Sequence, residues 1–327
     1  MKKGKTLLKK LGGIALIAVL LVSVVACKGK GSDGASARAA NKKPVIGCTV
    51  YYMTEFVTLM AEGIKAEAAA RGADLVLLDA NNDAQRQISQ IENLIAQKVD
   101  ILLVAAVDSD AIVPALDLAK KAGITLVGLN MLINTTEEYY YSGPNDVQAG
   151  ELEAQRLIDL IGAKGNVAII EGPIGQSAQV DRLQGNKNIL AKNPDVKVIA
   201  QQTANWSRAE ALALVENWIE AFPNLNGIIA HNDEMALGAI QALEAKGIKN
   251  RIPVTGVDAI KDGCLAIRDG RFEMTVFQDA EEEGRLGVRI CMDILEGKPP
   301  AKKINFIEML PVDKNNVQEL IDRIYSN

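Results

Sequence analysis

Polar and aromatic side chains follow one short apolar run after another along this chain of 327 residues. Asn130 comes directly after the run Thr125–Leu129, and Asp258 directly after Pro253–Val257. The other residues in equivalent positions are Tyr51, Tyr52, Glu55, Phe56, Arg182, Asn205, Trp206, His231, Asn232, Asp233, Gln278 and Asp279. Short apolar runs predict buried strands, and open parallel sheets bind ligands at the carboxyl ends of their strands. The recurring pattern therefore predicts one binding site assembled from several strand ends.

The residue types in this set suit a ligand that carries several hydroxyl groups. Each hydroxyl donates and accepts a hydrogen bond, and Asp, Asn, Gln and Arg side chains offer planar, paired hydrogen-bonding atoms. Trp206, with Phe56 or a tyrosine on the other side, could sandwich the apolar C–H face of a sugar ring. Taken singly, an Asn or Asp after a strand is better explained as a helix cap or turn former. Asp233, directly before Glu234, is expected to be such a cap.

Apolar runs alternate with amphipathic segments from Pro44 onward, which predicts parallel sheets covered by helices on both faces. The alternation breaks at Gly143-Pro144-Asn145 and then restarts. About 280 residues exceed what one hydrophobic core usually supports, so two lobes are expected. The predicted fold class is α/β, with two doubly wound parallel-sheet lobes joined by a three-strand hinge.

The lobe boundaries follow from where the alternation breaks. Crossovers are expected near Asn145, near Gln278 and within Ile307–Met309, although Ile304–Met309 also resembles a single closing strand. We therefore expect residues 44–144 plus 279–307 to form the N-terminal lobe. Residues 145–278 plus 308–327 should form the C-terminal lobe.

The first 27 residues resemble an export signal. Five lysines lie within residues 2–10, and the uncharged run that follows, residues 11–26, suits the apolar part of a signal segment better than a membrane-spanning helix. The sequence Val24-Val25-Ala26-Cys27 resembles the lipobox of bacterial lipoproteins, which implies that Cys27 is acylated and becomes the mature N-terminus. An uncleaved anchor or an ordinary secretory signal is the alternative. Residues 28–43, rich in Gly, Ser, Ala and Lys, are predicted to be a flexible tether.

Charge and rare residues argue against several function classes. Residues 1–43 carry a net charge of +9, which leaves −14 for the remainder because the whole chain has −5. An acidic body argues against nucleic acid as a partner, whereas the basic tail suits an anionic membrane surface. The only histidine, His231, nearly excludes a histidine-based metal site or a catalytic triad. Cys48, Cys264 and Cys291 have no close spacing; we expect Cys48 to be buried, and a disulfide among the three stays open.

Several longer segments together resemble a known family. The most specific are residues 230–239 (AHNDEMALGA), 256–259 (GVDA) and 63–79, supported by residues 177–185 and 312–316. They resemble the periplasmic sugar-binding proteins of ABC importers, in the group of the ribose- and galactose/glucose-binding proteins, which have the type I periplasmic-binding-protein architecture. The resemblance covers about residues 44–327.

The resemblance implies roles for individual residues. It implies hydrogen bonds to sugar hydroxyls from Arg182, Asn232, Asp258 and Gln278, and ring stacking by Phe56 and Trp206. On the first-lobe side, Asn130 and Glu55 are similar to the glucose/galactose branch, and Gln176 stands where that branch has a histidine. Tyr51 or Tyr52 could replace an aromatic residue that the ribose branch has near this position, whereas Met131 departs from that branch.

The function implied is a lipid-anchored substrate-binding protein in the periplasm or on the outer face of the cytoplasmic membrane. It would capture a monosaccharide, with glucose or galactose expected first, and deliver it to an ABC permease. We expect a monomer without a cofactor, catalytic residue or metal, because the calcium loop of the glucose/galactose branch has no counterpart at residues 162–165. A polyol such as inositol and a role as chemoreceptor or signalling sensor remain alternatives.

Two other classes are disfavoured. The chain lacks the G-x-S-x-G and P-loop motifs, and Glu55 with Asp258 is better explained by hydroxyl binding than by a glycosidase pair. Sugar-responsive repressors of the same two-lobe core carry an N-terminal helix-turn-helix, where this chain has the signal-like segment.

Overall fold

The computed structural model describes residues 42–325, so Cys27 and most of the predicted tether lie outside the described range. The chain runs through β1 (Val45–Val50), α1 (Glu55–Ala70), β2 (Asp74–Asp79), α2 (Ala84–Ala96), β3 (Ile101–Val104), α3 (Val113–Lys121), β4 (Thr125–Leu129) and β5 (Tyr140–Gly143). It continues through α4 (Asp146–Ile161), β6 (Gly165–Glu171), α5 (Ser177–Leu190), β7 (Val196–Thr203), α6 (Arg208–Ala221), β8 (Leu225–Ala230) and α7 (Asp233–Ala245). After a 3-10 turn at Lys249–Arg251 follow β9 (Val254–Asp258), α8 (Lys261–Arg268), β10 (Met274–Gln278), α9 (Ala280–Leu295), β11 (Ile304–Phe306), β12 (Met309–Val312) and α10 (Val317–Ile324).

These elements form two sheets. The strand order is β11-β5-β4-β3-β1-β2 in one and β12-β10-β9-β8-β6-β7 in the other. All recorded pairings are parallel except that of β10 with β12. We call the first sheet with α1, α2, α3 and α9 the first lobe, and the second sheet with the remaining helices the second lobe. The predicted fold class is confirmed.

Glycines allow helices of the same lobe to approach closely. A Cβ atom on Gly63 of α1 would lie 2.0 Å from the carbonyl oxygen of Glu281, and one on Gly284 of α9 would lie 2.2 Å from that of Met60. The two helices therefore cross backbone to backbone and cover one face of the first sheet together.

The prediction of one strand over Ile304–Met309 is wrong. Ile304–Phe306 pairs with β5 in the first sheet, whereas Met309–Val312 pairs with β10 in the second. An alternating apolar pattern does not reveal which sheet a strand joins. The sequence analysis also did not predict α10.

The chain passes between the two sheets three times. It does so between β5 and α4, between β10 and α9, and between β11 and β12. The carboxyl ends of both sheets consequently meet beside these crossings. None of the helices between residues 42 and 325 is both long and apolar enough to cross a membrane.

The three cysteines in the described range are free thiols. Cys48, Cys264 and Cys291 are all buried, and no disulfide joins them. Cys48 lies on β1 between Leu77 and Leu103 of the neighbouring strands, which confirms that it packs as a small apolar residue.

Candidate ligand-binding site

A small cavity lies between the two lobes, at the carboxyl ends of their strands. Its empty volume, part of which is open to solvent, is about 290 Å³. Its lining residues are Tyr51, Thr54, Phe56, Asn130 and Met131 from the first lobe, and Ala178, Arg182, Trp206, Asn232, Asp258 and Gln278 from the second. Eight of the ten binding residues expected from the sequence thus surround one cavity.

Arg182 is the buried cation of the second-lobe wall. Its Nε donates to Asp146 Oδ1 at 2.8 Å, and its Nη1 donates to the carbonyl oxygen of His231 and lies 3.9 Å from Asp258 Oδ1. The guanidinium also lies 5.7 Å from the centre of the Trp206 ring, a cation–π distance. These partners fix the orientation of the guanidinium before any ligand binds.

Close packing of α4 against α5 brings Arg182 and Asp146 together. A Cβ atom on Gly150 of α4 would lie 2.1 Å from the carbonyl oxygen of Arg182. Glycine at this position therefore lets the two helices approach closely enough for the ion pair to form. The sequence analysis missed Asp146, which looked like an ordinary acidic residue in the first turn of a helix.

Asp258 and Gln278 form a second polar pair on the same wall. Gln278 Nε2 donates to Asp258 Oδ1 at 2.6 Å, and the buried Gln278 Oε1 has no partner in the protein. Burial raises the pKa of Asp258 to about 7, although Arg182 and the Gln278 hydrogen bond both act to lower it. Burial likewise raises the pKa of Asp146, again against the effect of Arg182.

Trp206 forms the aromatic part of the second-lobe wall. Its Nε1 donates to Gln176 Oε1 at 2.7 Å, and a Cβ atom on Gly172 would lie 2.0 Å from Trp206 Cη2. The indole therefore lies directly over a glycine backbone that leaves room for it. Gln176 does not line the cavity, although the sequence analysis expected it among the ligand contacts. Its side chain instead accepts the hydrogen bond of the Trp206 indole.

Asn232 is both a cavity residue and a helix cap. It lines the cavity, and its Oδ1 accepts a hydrogen bond from Met235 N at 3.0 Å as the N-cap of α7. Asp233 is therefore not the cap. It is buried and accepts from Thr275 Oγ1 at 2.7 Å and from Ile260 N at 3.1 Å, which ties α7 to β10 and to the start of α8.

Glu55 lies outside the cavity wall. Its Oε1 accepts a hydrogen bond from Lys261 N of the second lobe at 3.2 Å. Because Glu55 is at the first position of α1, its side chain reaches across to the N terminus of α8 instead of turning inward. Three further bonds join the lobes, from Ser109 N to Gly175 O at 3.0 Å, from Leu132 N to Ser177 Oγ at 2.7 Å and from Ser177 Oγ to Met131 Sδ at 3.8 Å.

Three cavity residues have backbone conformations that non-glycine residues rarely adopt. The φ angles are +57° at Asn130, +59° at Trp206 and +123° at Asp258. Such conformations cost about 1–3 kcal/mol each and concentrate at functional sites. Six other non-glycine residues of the described range also have positive φ, so this conformation is shared by the cavity wall and by turns elsewhere.

A larger groove lies in the first lobe, away from this cavity. It has an empty volume of about 1130 Å³ and includes Leu116, Leu126, Tyr139 and Ile294 among its lining residues. None of the described side-chain atoms that are buried without a partner belongs to it. The smaller interlobe cavity, which contains Asn130 and Gln278, is therefore the better candidate for a polar ligand.

Besides Asp146, the sequence analysis missed two lining residues and a second buried acid. Thr54 lines the cavity and caps α1 by accepting from Val57 N at 3.2 Å, and its position directly before Glu55 was the available signal. Ala178 has no distinguishing chemistry. Glu283 is fully buried behind Asn130, but in the sequence it belongs to a run of three glutamates typical of an exposed helix start.

Among residues 42–325, no group of three or more His, Cys, Asp or Glu side chains is placed to hold a metal ion. The wall instead consists of hydrogen-bonding side chains, aromatic rings and one arginine.

Two parallel-sheet lobes that enclose a small polar cavity at their strand ends define a binding protein of the type I periplasmic architecture. The chain belongs to the periplasmic binding protein family, because the family's domain model matches residues 46–299. The family and the architecture expected from the sequence are thereby confirmed.

Named relatives fit this assignment. The chain is 37% identical over 317 residues to the xylitol-binding protein of Mycolicibacterium smegmatis, an alignment that covers 96% of this chain and 88% of that protein. It is 35% identical over 269 residues to the ribose import binding protein of Bacillus subtilis, covering 82% and 87% of the two chains. An ABC transporter solute-binding protein of Bacillus halodurans, solved with bound myo-inositol, has 33% identity and a TM-score of 0.82, with 86% of this chain and 98% of that one covered.

Proposed function

We propose that this protein is the substrate-binding component of an ABC importer and captures a sugar or polyol in the interlobe cavity. The observation that carries the proposal is a pair of buried acceptors without protein partners, Asn130 Oδ1 and Gln278 Oε1, on residues of opposite walls. Unpaired buried acceptors are unfavourable, and hydroxyl groups of one ligand would satisfy both. The proposed contact residues are Tyr51, Phe56, Asn130, Arg182, Trp206, Asn232, Asp258 and Gln278. Two other residues would act indirectly: Glu55 by its hydrogen bond to the second lobe, and Gln176 by its hydrogen bond to the Trp206 indole.

The relatives support a pentose, polyol or cyclitol as the ligand class, since they are named for xylitol and ribose or were solved with myo-inositol. Glucose and galactose, first expected from the sequence, stay in the panel of candidates. Part of their support came from Glu55, which the structure places outside the cavity wall.

Ligand binding is proposed to hold two hinged lobes together. The three crossings, at the lobe boundaries expected from the sequence, would act as the hinge. The interlobe hydrogen bonds to Gly175 O, Ser177 Oγ and Glu55 Oε1 form only while the lobes are in contact. A ligand that touches both walls adds to these contacts and so favours the closed state.

The membrane context is part of the same proposal. We propose that Cys27 is acylated after export and that residues 28–43 tether the binding lobes to the membrane, near the permease. A Cys27→Ser variant should be released into the soluble fraction, whereas the unchanged protein should stay with membranes. Equal release of both proteins would refute the lipid anchor without affecting the binding proposal.

Calorimetry with xylitol, D-ribose, myo-inositol, D-glucose and D-galactose tests the binding proposal. We expect at least one of these to bind and to reduce the radius of gyration in small-angle scattering. Trp206→Ala should weaken binding by about 10-fold or more, because burying an aromatic side chain is worth about 1.5–3 kcal/mol. The control is Trp218→Phe, a change in the α6 core outside the cavity, which should bind as the wild type does. Absence of binding and compaction with every sugar and polyol would refute the sugar proposal.

A further inference from the structure

We propose that Glu283 is a positioning residue that makes Asn130 present a hydrogen-bond acceptor to the ligand, so that the first lobe selects a hydroxyl over a carbonyl oxygen at one ligand position. This inference rests on the proposed binding of a sugar or polyol. It concerns a residue that does not itself line the cavity.

Glu283 and Asn130 form a buried pair that links α9 to the end of β4. Glu283 is completely buried, and its Oε2 lies 3.4 Å from Asn130 Nδ2, within hydrogen-bond reach. The backbone on both sides is held: Ser142 Oγ donates to the carbonyl oxygen of Glu283 at 3.1 Å, and Tyr141 OH donates to that of Asn130 at 2.8 Å. The two side chains therefore meet in a fixed geometry.

This pairing determines which end of the Asn130 amide is available to a ligand. An ionised carboxylate can only accept hydrogen bonds, so it holds Asn130 Nδ2 toward Glu283. Burial raises the pKa of Glu283, while the hydrogen bond from Asn130 lowers it. A protonated carboxyl would donate as well as accept, so the selection belongs to the ionised form. Asn130 Oδ1, which is buried and has no partner in the protein, is the atom left for the ligand.

An available acceptor demands a donor from the ligand. A hydroxyl supplies one, whereas a carbonyl oxygen at the same ligand position would oppose Asn130 Oδ1 and leave both oxygens unpaired. A glutamine at position 283 would remove this constraint, because its amide can offer either an oxygen or an NH2 group to Asn130. Asn130 could then turn over and donate to a carbonyl.

The test compares selectivity, not affinity alone. The parent ligand is the tightest binder among xylitol, D-ribose and myo-inositol, and its analogues have one hydroxyl replaced by a ketone or by hydrogen. For the wild type we expect one position at which the ketone weakens binding about 10- to 100-fold, the range for leaving a buried polar group unpaired. Glu283→Gln should reduce that ketone penalty about 10-fold or more and leave the penalty of the matching deoxy analogue within about 3-fold.

Glu153→Gln is the matched control. Glu153 is equally buried, and its Oε1 accepts from Asn186 Nδ2 at 2.9 Å, but neither residue lines the cavity. This variant should keep the wild-type ketone penalty. An unchanged penalty in Glu283→Gln, or an equal reduction in Glu153→Gln, would overturn the inference.

A second variant covers the case in which Glu283→Gln does not fold. Asn130→Ala removes the acceptor that Glu283 orients, so the ketone and the hydroxyl at that position should then bind alike within about 3-fold; a persisting ketone penalty would also overturn the inference. If no parent ligand binds the wild type, the proposed function fails first, and the assignment of Glu283 fails with it.

Discussion

Replacing Arg182 by methionine should destabilise the second lobe strongly and in a pH-dependent way. The substitution keeps an apolar side chain of similar length but removes the cation that Asp146 and Asp258 share, at 2.8 and 3.9 Å. Removing one partner of a buried ion pair costs about 3–5 kcal/mol, because the remaining charge is left uncompensated. We expect a loss of this size in the free energy of unfolding at pH 8.

The loss should shrink as the pH falls. Burial raises the pKa of Asp258 from 3.8 to about 7 and raises that of Asp146. The folded protein therefore binds protons more tightly than the unfolded chain. The stability contributed by these protons is fully present below the unfolded pKa and is lost as the pH rises through the folded pKa. Without Arg182 both folded pKa values rise further, so at pH 5 the two carboxyls are more fully protonated and the ion pair matters less.

Denaturant unfolding of the wild type and Arg182→Met at pH 5 and pH 8 measures both effects. The control is Arg71→Met, which removes a surface cation from Asp293 and Glu296, at 2.9 and 3.1 Å. Exposed pairs are worth about 1 kcal/mol or less, so this variant should lose little at either pH. The reasoning is refuted if Arg182→Met costs no more than Arg71→Met, or if its cost does not grow with pH.

Three further predictions concern the cavity, lobe closure and the thiols. Gly172→Ala should displace the Trp206 indole, since the new Cβ would lie 2.0 Å from Cη2; calorimetry should show weaker ligand binding, and unchanged affinity would contradict the assigned stacking role. Gly175→Ala should disfavour closure, because φ is +94° and the Cβ would lie 2.4 Å from Asp108 Oδ2 of the other lobe; scattering should show less ligand-induced compaction, and wild-type compaction would count against this contact. Burial raises the pKa of the Cys48, Cys264 and Cys291 thiols. A thiol reagent should therefore label them in denaturant but not in the native protein at pH 8, and rapid native labelling would contradict their burial.

The sequence predicts the helices and strands well because each of them depends on a local pattern of apolar residues. The predicted run Thr125–Leu129 coincides with β4, and the predicted run Pro253–Val257 differs from β9 by one residue at each end. Each has an apolar period that burial against a sheet enforces. The assignment of β11 and β12 to different sheets depends on long-range pairing, which leaves no local trace.

The lining of the cavity was predictable where a side chain lies at the carboxyl end of a strand, as for Asn130, Asp258 and Gln278. It was not predictable where a side chain acts through another element. Asn130 and Glu283 are 153 positions apart, and the packing of α9 on β3, β4 and β5 brings them together. The left-handed backbone conformations at three strand ends also depend on tertiary structure, since asparagine, tryptophan and aspartate are compatible with many others.

The three crossings between the lobes have a consequence for the order of folding. α1 of the first lobe packs on α9, and β5 pairs with β11, so the N-terminal lobe lacks a helix and an edge strand until residues 280–306 have been synthesised. Contacts this distant in sequence close slowly, because the entropy of a long loop must be overcome first. An emerging chain would therefore remain without a complete first lobe almost to its end. A circular permutant that begins at residue 280 and joins the end of α10 to β1 should complete the first lobe earlier during synthesis.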